Sequence, residues 1–264
     1  VKAFYIQPIL ASYRQELVSC LSAEYDLTIL FGAPVNNSGF QSLAPKNVKI
    51  INCPLKSLIG GRILIQKGVL EAIRAQKPDV VLTCANIRDV TYWRLLFLCR
   101  KLGIKVFSHG QGLYSKRYVN PLIGLLYRSA IQLSHKYVCY TPISHDSLVA
   151  IGCSPNKLAT ADNAIRFSVD AGEIQKRGDE QGVLFIGRLR EECGLEDLVA
   201  AVTSLREHHP TVVLHVVGAG ELEVSYRERY TQPWVIFHGA IYDDAQILEL
   251  SRECRVGCYP GNAG

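Results

Sequence analysis

The sequence has no methionine among its 264 residues and opens on Val1, an unusual pair of features that fits either a trimmed chain or one from which modified methionines were dropped. No apolar run reaches the roughly 18–20 residues that a membrane-spanning helix needs. There is also no charged-then-apolar leader, because Val1 runs straight into a strand-like segment. We therefore expect a cytoplasmic protein. None of the nine cysteines makes a Cys-x-x-Cys or zinc-type spacing, and Cys254 and Cys258 have no histidine near them in sequence. Cys84, Cys139 and Cys258 sit in apolar runs, so the cysteines are expected as reduced core residues rather than a disulfide framework. His-Glu-x-x-His, the Walker loop and Gly-x-Ser-x-Gly are all missing. The turn after the first strand, Pro8–Arg14, is not Gly-x-Gly-x-x-Gly, so the fingerprint of a nicotinamide enzyme is missing too.

What is present is a regular alternation. Apolar runs with little polar alternation occur at Lys2–Gln7, Asp26–Phe31, Val48–Asn52, Asp79–Cys84, Ile104–His109 and Tyr137–Thr141, and again at Val183–Ile186, Val212–Val217, Val235–Phe237 and Val256–Tyr259. Such runs suit strands buried on both faces of a parallel sheet. Between them, helical spacing predicts helices over Ser12–Ala23, Arg62–Ala75 and Val90–Leu102, the last closed by Gly103, and over Leu195–His208, Glu221–Tyr230 and Asp244–Glu253. The fold class is therefore α/β, with parallel sheets. The polar stretch Asp170–Gln181 reads as a linker, which gives an N-terminal domain over 1–165 and a C-terminal domain over 166–264.

Charge divides the same way. Residues 1–165 carry 19 Lys/Arg against 8 Asp/Glu, a net +11, and residues 166–264 carry 10 against 16, a net −6. A basic first half is either drawn to a negative surface such as an anionic membrane leaflet or is a solvated basic face. The basic and apolar segment Lys116–Lys136 reads as an interfacial helix or as a core-facing one. Nucleic acid ranks low as a partner, because the basic residues are dispersed and no recognition helix or aromatic platform accompanies them.

Two doubly wound domains in tandem place ligands between them, at the carboxyl ends of strands. Candidate contacts lie there. Gly187 turns the chain off a strand and Arg188 follows, a guanidinium suited to a diphosphate, although a Gly-Arg pair alone is equally a surface arginine. Gly218-Ala219-Gly220 joins a strand to a helix and could offer backbone N–H groups to phosphate. His109-Gly110 ends another strand, and a lone histidine is either structural or active.

Taken in order, Phe185–Leu195, Val216–Gly220, Val235–Gly239 and Val256–Gly264 resemble the C-terminal domain of family-4 retaining glycosyltransferases of GT-B fold. The N-terminal half resembles their acceptor domain through Pro8–Arg14, Asp26–Gly32, Ser108-His109-Gly110 and Tyr140–Ser147, and Asn163 resembles the asparagine that closes the interdomain link. The resemblance implies two Rossmann-like domains facing across a cleft, the second incomplete here. It implies sugar transfer from a nucleoside diphosphate sugar to a saccharide or lipid-linked acceptor, with retention, as in surface polysaccharide synthesis at the inner face of a membrane. It implies no metal and no cofactor beyond the donor. Catalytic His109 would contact the donor sugar. Arg188 and Gly187 would meet the diphosphate and Gly218 and Gly220 the nucleotide. His238, Arg14, Gly110 and Asn262 complete the donor contacts. An epimerase of the same architecture and a degenerate, non-catalytic sugar-nucleotide-binding protein are the alternatives. Three departures stand out. Cys193 occupies the place of the family's lysine, with Arg190 available to compensate. Gly261 occupies the place of its first glutamate, and the sequence ends before the second glutamate.

Overall fold

The apolar runs form parallel strands. A computed structural model describes residues 1–32, 43, 45, 48–113, 119–162 and 181–261. Those up to 162 make one compact unit and those from 181 another. Asn163, residues 170–180 of the polar stretch, Lys116, Arg117 and Asn262 lie outside the described residues.

In the first unit seven strands form one sheet: β1 (Lys2–Gln7), β2 (Asp26–Phe31), β3 (Lys49–Asn52), β6 (Val80–Cys84), β7 (Lys105–Gly110), β8 (Lys136–Cys139) and β9 (Leu158–Thr160). Their order is β3-β2-β1-β6-β7-β8-β9, and every pairing in it is parallel. The strand order reverses between β1 and β6, and in an open α/β sheet that reversal opens a crevice at the carboxyl ends. β1 and β2 are almost wholly buried, as unbroken apolar runs demand. Phe4, Ile73, Leu95 and Leu96 form the centre of the core and are essentially inaccessible.

Helices α1 (Gln15–Glu24), α2 (Val69–Gln76), α3 (Val90–Leu102), α4 (Pro121–Leu133) and α5 (Pro142–Ala150) belong to this unit. α3 follows its sequence signals closely. Asp89 caps it by accepting from the Thr91 amide, and Gly103 ends it in the left-handed conformation. α4 starts on Asn120, whose side chain accepts from the Leu122 amide, with Pro121 in the first turn. One expectation is corrected: Arg62–Ala75 is not one helix. Ile63–Gln66 is a strand, β5, which pairs antiparallel with β4 (Leu55–Leu58), and α2 begins only at Val69 after Gly68. Apolar Ile63 and Ile65 fit a helical spacing and a strand alternation equally, and the partner β4 decides between them.

The second unit holds β10 (Gly182–Ile186), α6 (Leu195–Arg206), β11 (Val213–Val217), α7 (Glu223–Arg229), β12 (Val235–Gly239), α8 (Asp244–Glu253) and β13 (Cys254–Gly257). The sheet order is β12-β11-β10-β13, again parallel, with its own reversal between β10 and β13. Phe185, Leu189 and Leu214 are fully buried together with Leu195 of α6. All nine cysteines are free, and six of them are buried.

Leu96 has no exposed surface. Leu96→Ala is expected to lower the unfolding free energy of the first unit by about 2–5 kcal/mol. Each unit carries one of the two tryptophans, Trp93 and Trp234. Urea unfolding followed by Trp93 fluorescence in a Trp234→Phe background therefore reports the first unit; an unchanged midpoint would contradict this core assignment.

Candidate functional site

The first unit gathers a polar cluster at the carboxyl edge of its sheet. Gln7 and His109 are the last and second-last residues of β1 and β7, both about 5% exposed. The Gln7 side-chain nitrogen lies 2.8 Å from His109 Nε2, and His109 Nδ1 lies 3.1 Å from the Tyr140 hydroxyl. An amide nitrogen can only donate, so Nε2 accepts and the imidazole proton sits on Nδ1, directed at Tyr140. Arg14 Nη2 donates to the same hydroxyl at 3.2 Å, and its guanidinium lies over the rings of Tyr13 and Tyr140. The cluster continues inward. Gln66 donates to the backbone carbonyl of Gln7 at 3.0 Å, and the Gln66 amide donates to Thr91 Oγ1 at 2.8 Å. A continuous hydrogen-bonded chain thus joins the β4–β5 hairpin, α3, β1 and β7 to Arg14.

Burial, reinforced by the positive charge of Arg14, pushes the His109 imidazole down from 6.5 to about 4. It is neutral at pH 7, and both ring nitrogens are engaged within the first unit. Tyr5 stacks at 6.3 Å from His109, and its buried hydroxyl has no hydrogen-bond partner. Sequence reasoning singled out His109, Gly110 and Arg14, which the fold brings to this edge. It missed Gln7, Gln66, Thr91 and Tyr140. No motif marks a glutamine at the end of a strand, and Gln66 fell inside the predicted helix Arg62–Ala75, so only Gln7 stood at a predicted strand end.

The second unit assembles three loops at the carboxyl ends of β10, β11 and β13. Gly187 and Arg188 leave β10, Gly218–Gly220 leave β11, and Tyr259–Gly261 follow β13. The first two loops run backbone against backbone: the Gly187 amide donates to Val217 at 3.0 Å and the Leu189 amide to Ala219 at 3.1 Å. Gly218 has φ +145°, and a Cβ there would overlap the carbonyl oxygen of Gly187, so only glycine permits this approach. Arg188, beside this contact, is ion-paired with Glu221 at 3.0 Å and is partly exposed. That pairing, together with the Glu221 backbone amide as the first cause, holds the Glu221 carboxyl below its usual range.

Two expectations change here. The Gly218 amide donates to the Gly239 carbonyl at 2.8 Å and is not available to a phosphate, and α7 starts at Glu223, three residues past Gly220. Cys193, where the resemblance places a lysine, is fully buried, 3.6 Å from the Tyr226 hydroxyl, which in turn donates to Glu196. His238, near the end of β12, bonds through Nε2 to Nδ1 of His215 on β11 at 3.1 Å, with the rings stacked. Burial lowers both of these histidines as well. Gly261 sits against the neighbouring loop, where a Cβ would overlap the backbone of Glu192 and Cys193. The glutamate that the resemblance would place at this position has no room there. Among the described residues, no group of three or more His, Cys, Asp or Glu side chains could hold a metal ion.

Residues 180–263 match the family model for glycosyl transferases group 1. The α/β fold is that of GT-B glycosyltransferases. Anabaena HepE, solved with UDP and glucose, is similar at TM-score 0.63 and 14% identity, over 99% of this chain and 74% of its own. The lipopolysaccharide outer core galactosyltransferase WaaB is similar at TM-score 0.62 and 13% identity, over 99% and 74%. A UDP-GlcNAc 2-epimerase from Methanocaldococcus jannaschii shares the fold at TM-score 0.58 and 14% identity, over 97% and 78%. No curated protein matches the sequence significantly.

Two outcomes are expected from this geometry. His109, depressed to about 4 from 6.5, takes up a proton in the unfolded chain before it does so in the folded one. Its contribution to stability is therefore complete above pH 6.5 and is lost as pH falls toward 4, by about 3 kcal/mol in all. Imidazole chemical shifts that report a neutral His109 at pH 5.5 would agree; protonation near pH 6.5 would refute the buried pairing with Gln7 and Tyr140. Second, Gly261→Ala should lower the stability of the second unit by about 1–3 kcal/mol. Trp234 fluorescence in a Trp93→Phe background measures this, and a neutral substitution would contradict the close contact.

Proposed function

We propose that this protein is a glycosyltransferase that moves a sugar from a nucleoside diphosphate sugar to a saccharide or lipid-linked acceptor, with retention at the anomeric carbon and without a metal. The observation that carries the reading is the convergence of the β10, β11 and β13 loops around Arg188, inside the segment that matches a glycosyltransferase family model. The loops form at a strand-order reversal, the position at which open α/β sheets bind nucleotides. HepE, of the same fold, was solved with UDP and with UDP-glucose, which favours a uridine donor.

In this reading the acceptor hydroxyl oxygen bonds to the anomeric carbon as the bond from that carbon to the diphosphate oxygen breaks. The hydroxyl proton passes to the departing diphosphate. Arg188 exchanges Glu221 for the diphosphate and stabilises the charge that develops on it, the task a metal performs in other transferases. His109, neutral and fixed by Gln7, holds Tyr140 and Arg14 in place at the edge of the acceptor unit. Peripheral contact with the inner face of a membrane, in surface polysaccharide synthesis, belongs to this reading, and the +11 charge of residues 1–165 supports it.

The test is turnover with a panel of UDP-, GDP- and ADP-sugars. Transfer or hydrolysis with one donor is expected, and Arg188→Ala should lower kcat/KM by about 10- to 100-fold, with Arg188→Lys intermediate because the forked geometry is lost. A donor whose sugar is isomerised rather than transferred would convert the reading to an epimerase. Binding of no nucleotide sugar would leave a non-catalytic scaffold.

A further inference from the structure

A groove of about 490 Å³ opens in the first unit, in the size range of small-ligand sites. Three elements wall it: the β4–β5 hairpin, the loop after β6, and α4. Its floor is apolar, from Ile63 on β5, Ile123, Leu126 and Tyr127 on α4, and Val90 at the start of α3. On its rim stand two exposed guanidiniums, Arg62 and Arg88, and among the described residues no carboxylate lines it. Asp89, next to Arg88 in the chain, caps α3 by accepting from the Thr91 amide at 2.7 Å. α4 has no acidic residue, and beside the groove it leaves Leu122 and Leu125 more than half exposed, which extends the apolar surface outward.

The walls are fixed to one another. The Leu64 amide donates to the Arg88 carbonyl at 3.0 Å, and Leu64 bridges to Asp89. The Trp93 indole donates to the Ile87 carbonyl at 3.0 Å, and the Asn86 side chain accepts from the Arg88 amide at 3.1 Å. The inner end of the groove is Ala85, whose amide donates to the His109 carbonyl at 2.8 Å. The groove therefore runs up to the polar cluster around His109 and Gly110.

We propose that this groove binds the acceptor, and that the acceptor is a sugar carried on the phosphate of a long-chain lipid. The phosphate pairs with Arg62 and Arg88, the first part of the chain lies on Ile63, Ile123 and Leu126, and the sugar points past Ala85 toward Gly110. Charge and apolarity decide the occupant. A neutral saccharide has no use for two unopposed guanidiniums, and a free anion has no use for an apolar floor; an amphiphilic phosphate uses both. The word acceptor rests on the transferase reading above, whereas binding of the lipid phosphate does not.

The test measures binding of farnesyl phosphate by the full chain, below the concentration at which it forms micelles, against farnesol and inorganic phosphate. Farnesyl phosphate should bind at least about tenfold more tightly than either, and the double substitution Arg62→Ala, Arg88→Ala should remove about that factor. Leu126→Asp should weaken farnesyl phosphate and farnesol alike. Both arginines are exposed, so the double variant keeps its fold, which its unfolding midpoint verifies. Equal binding of farnesol and farnesyl phosphate, or a double variant that binds unchanged, overturns the proposal. Nucleotide-sugar binding, measured in parallel, separates the two readings: its loss with farnesyl phosphate binding intact would remove the transferase and leave the groove.

Discussion

The candidate donor site depends on backbones meeting more closely than a side chain allows. Gly218 lies against the Gly187 carbonyl, and Gly261 lies against the backbone of Glu192 and Cys193. These contacts bring three loops from three strands to one place, and the hydrogen bonds between them, Gly187 to Val217 and Leu189 to Ala219, hold them there. The loop packing places Arg188 more firmly than its ion pair with Glu221 does, because a partly exposed pair contributes little by itself. A methyl group at either glycine would separate the loops and move the guanidinium with them.

The first unit uses a different device. Its edge is built from side chains, a run of hydrogen bonds through Thr91, Gln66, Gln7, His109, Tyr140 and Arg14. Buried polar groups are costly when unpaired and rigid when paired. Here each link fixes the next, and the lowered basicity of His109 ensures that the chain is not broken by a proton at neutral pH. The two devices suit different tasks. Backbone packing makes a fixed cradle for a constant group such as a diphosphate, whereas a side-chain network can vary without disturbing the sheet beneath it.

Most of the fold was legible in the sequence because buried parallel strands leave unbroken apolar runs. Lys2–Gln7 and Asp26–Phe31 match β1 and β2 to the residue, and Val90–Leu102 matches α3. The failure at Arg62–Ala75 has the complementary cause: β5 is a short strand in a two-stranded hairpin, defined by its pairing with β4 and not by its own pattern. Of the site, the glycines and Arg188 were legible because a strand-turn signature marks them. Gln7 and Tyr140 were not, since what gives them a role is spatial adjacency across strands. The departures at Cys193 and Gly261 read as missing functional groups in the sequence. In the structure both are packing positions, a buried thiol against Tyr226 and a glycine with no room for a side chain.

That change of reading bears on how the donor would be held. If the places of the family's lysine and first glutamate are filled by packing residues, the charge on the second unit's site falls to Arg188 and to Arg190, which lie on the same loop. Glu221 then becomes more than a neighbour. It is ion-paired with Arg188, so in the proposed reading a diphosphate would displace a carboxylate rather than simply enter. Exchange of one anion for another costs less desolvation than burying a bare pair of charges. It also favours ligands that carry more negative charge than one carboxylate and can accept from both arms of the guanidinium. The same logic of exchange does not apply at Arg62 and Arg88, where the described residues lining the groove offer no carboxylate to displace. The two anion-recognition surfaces proposed for this chain would therefore differ in kind, one exchanging a partner and one open.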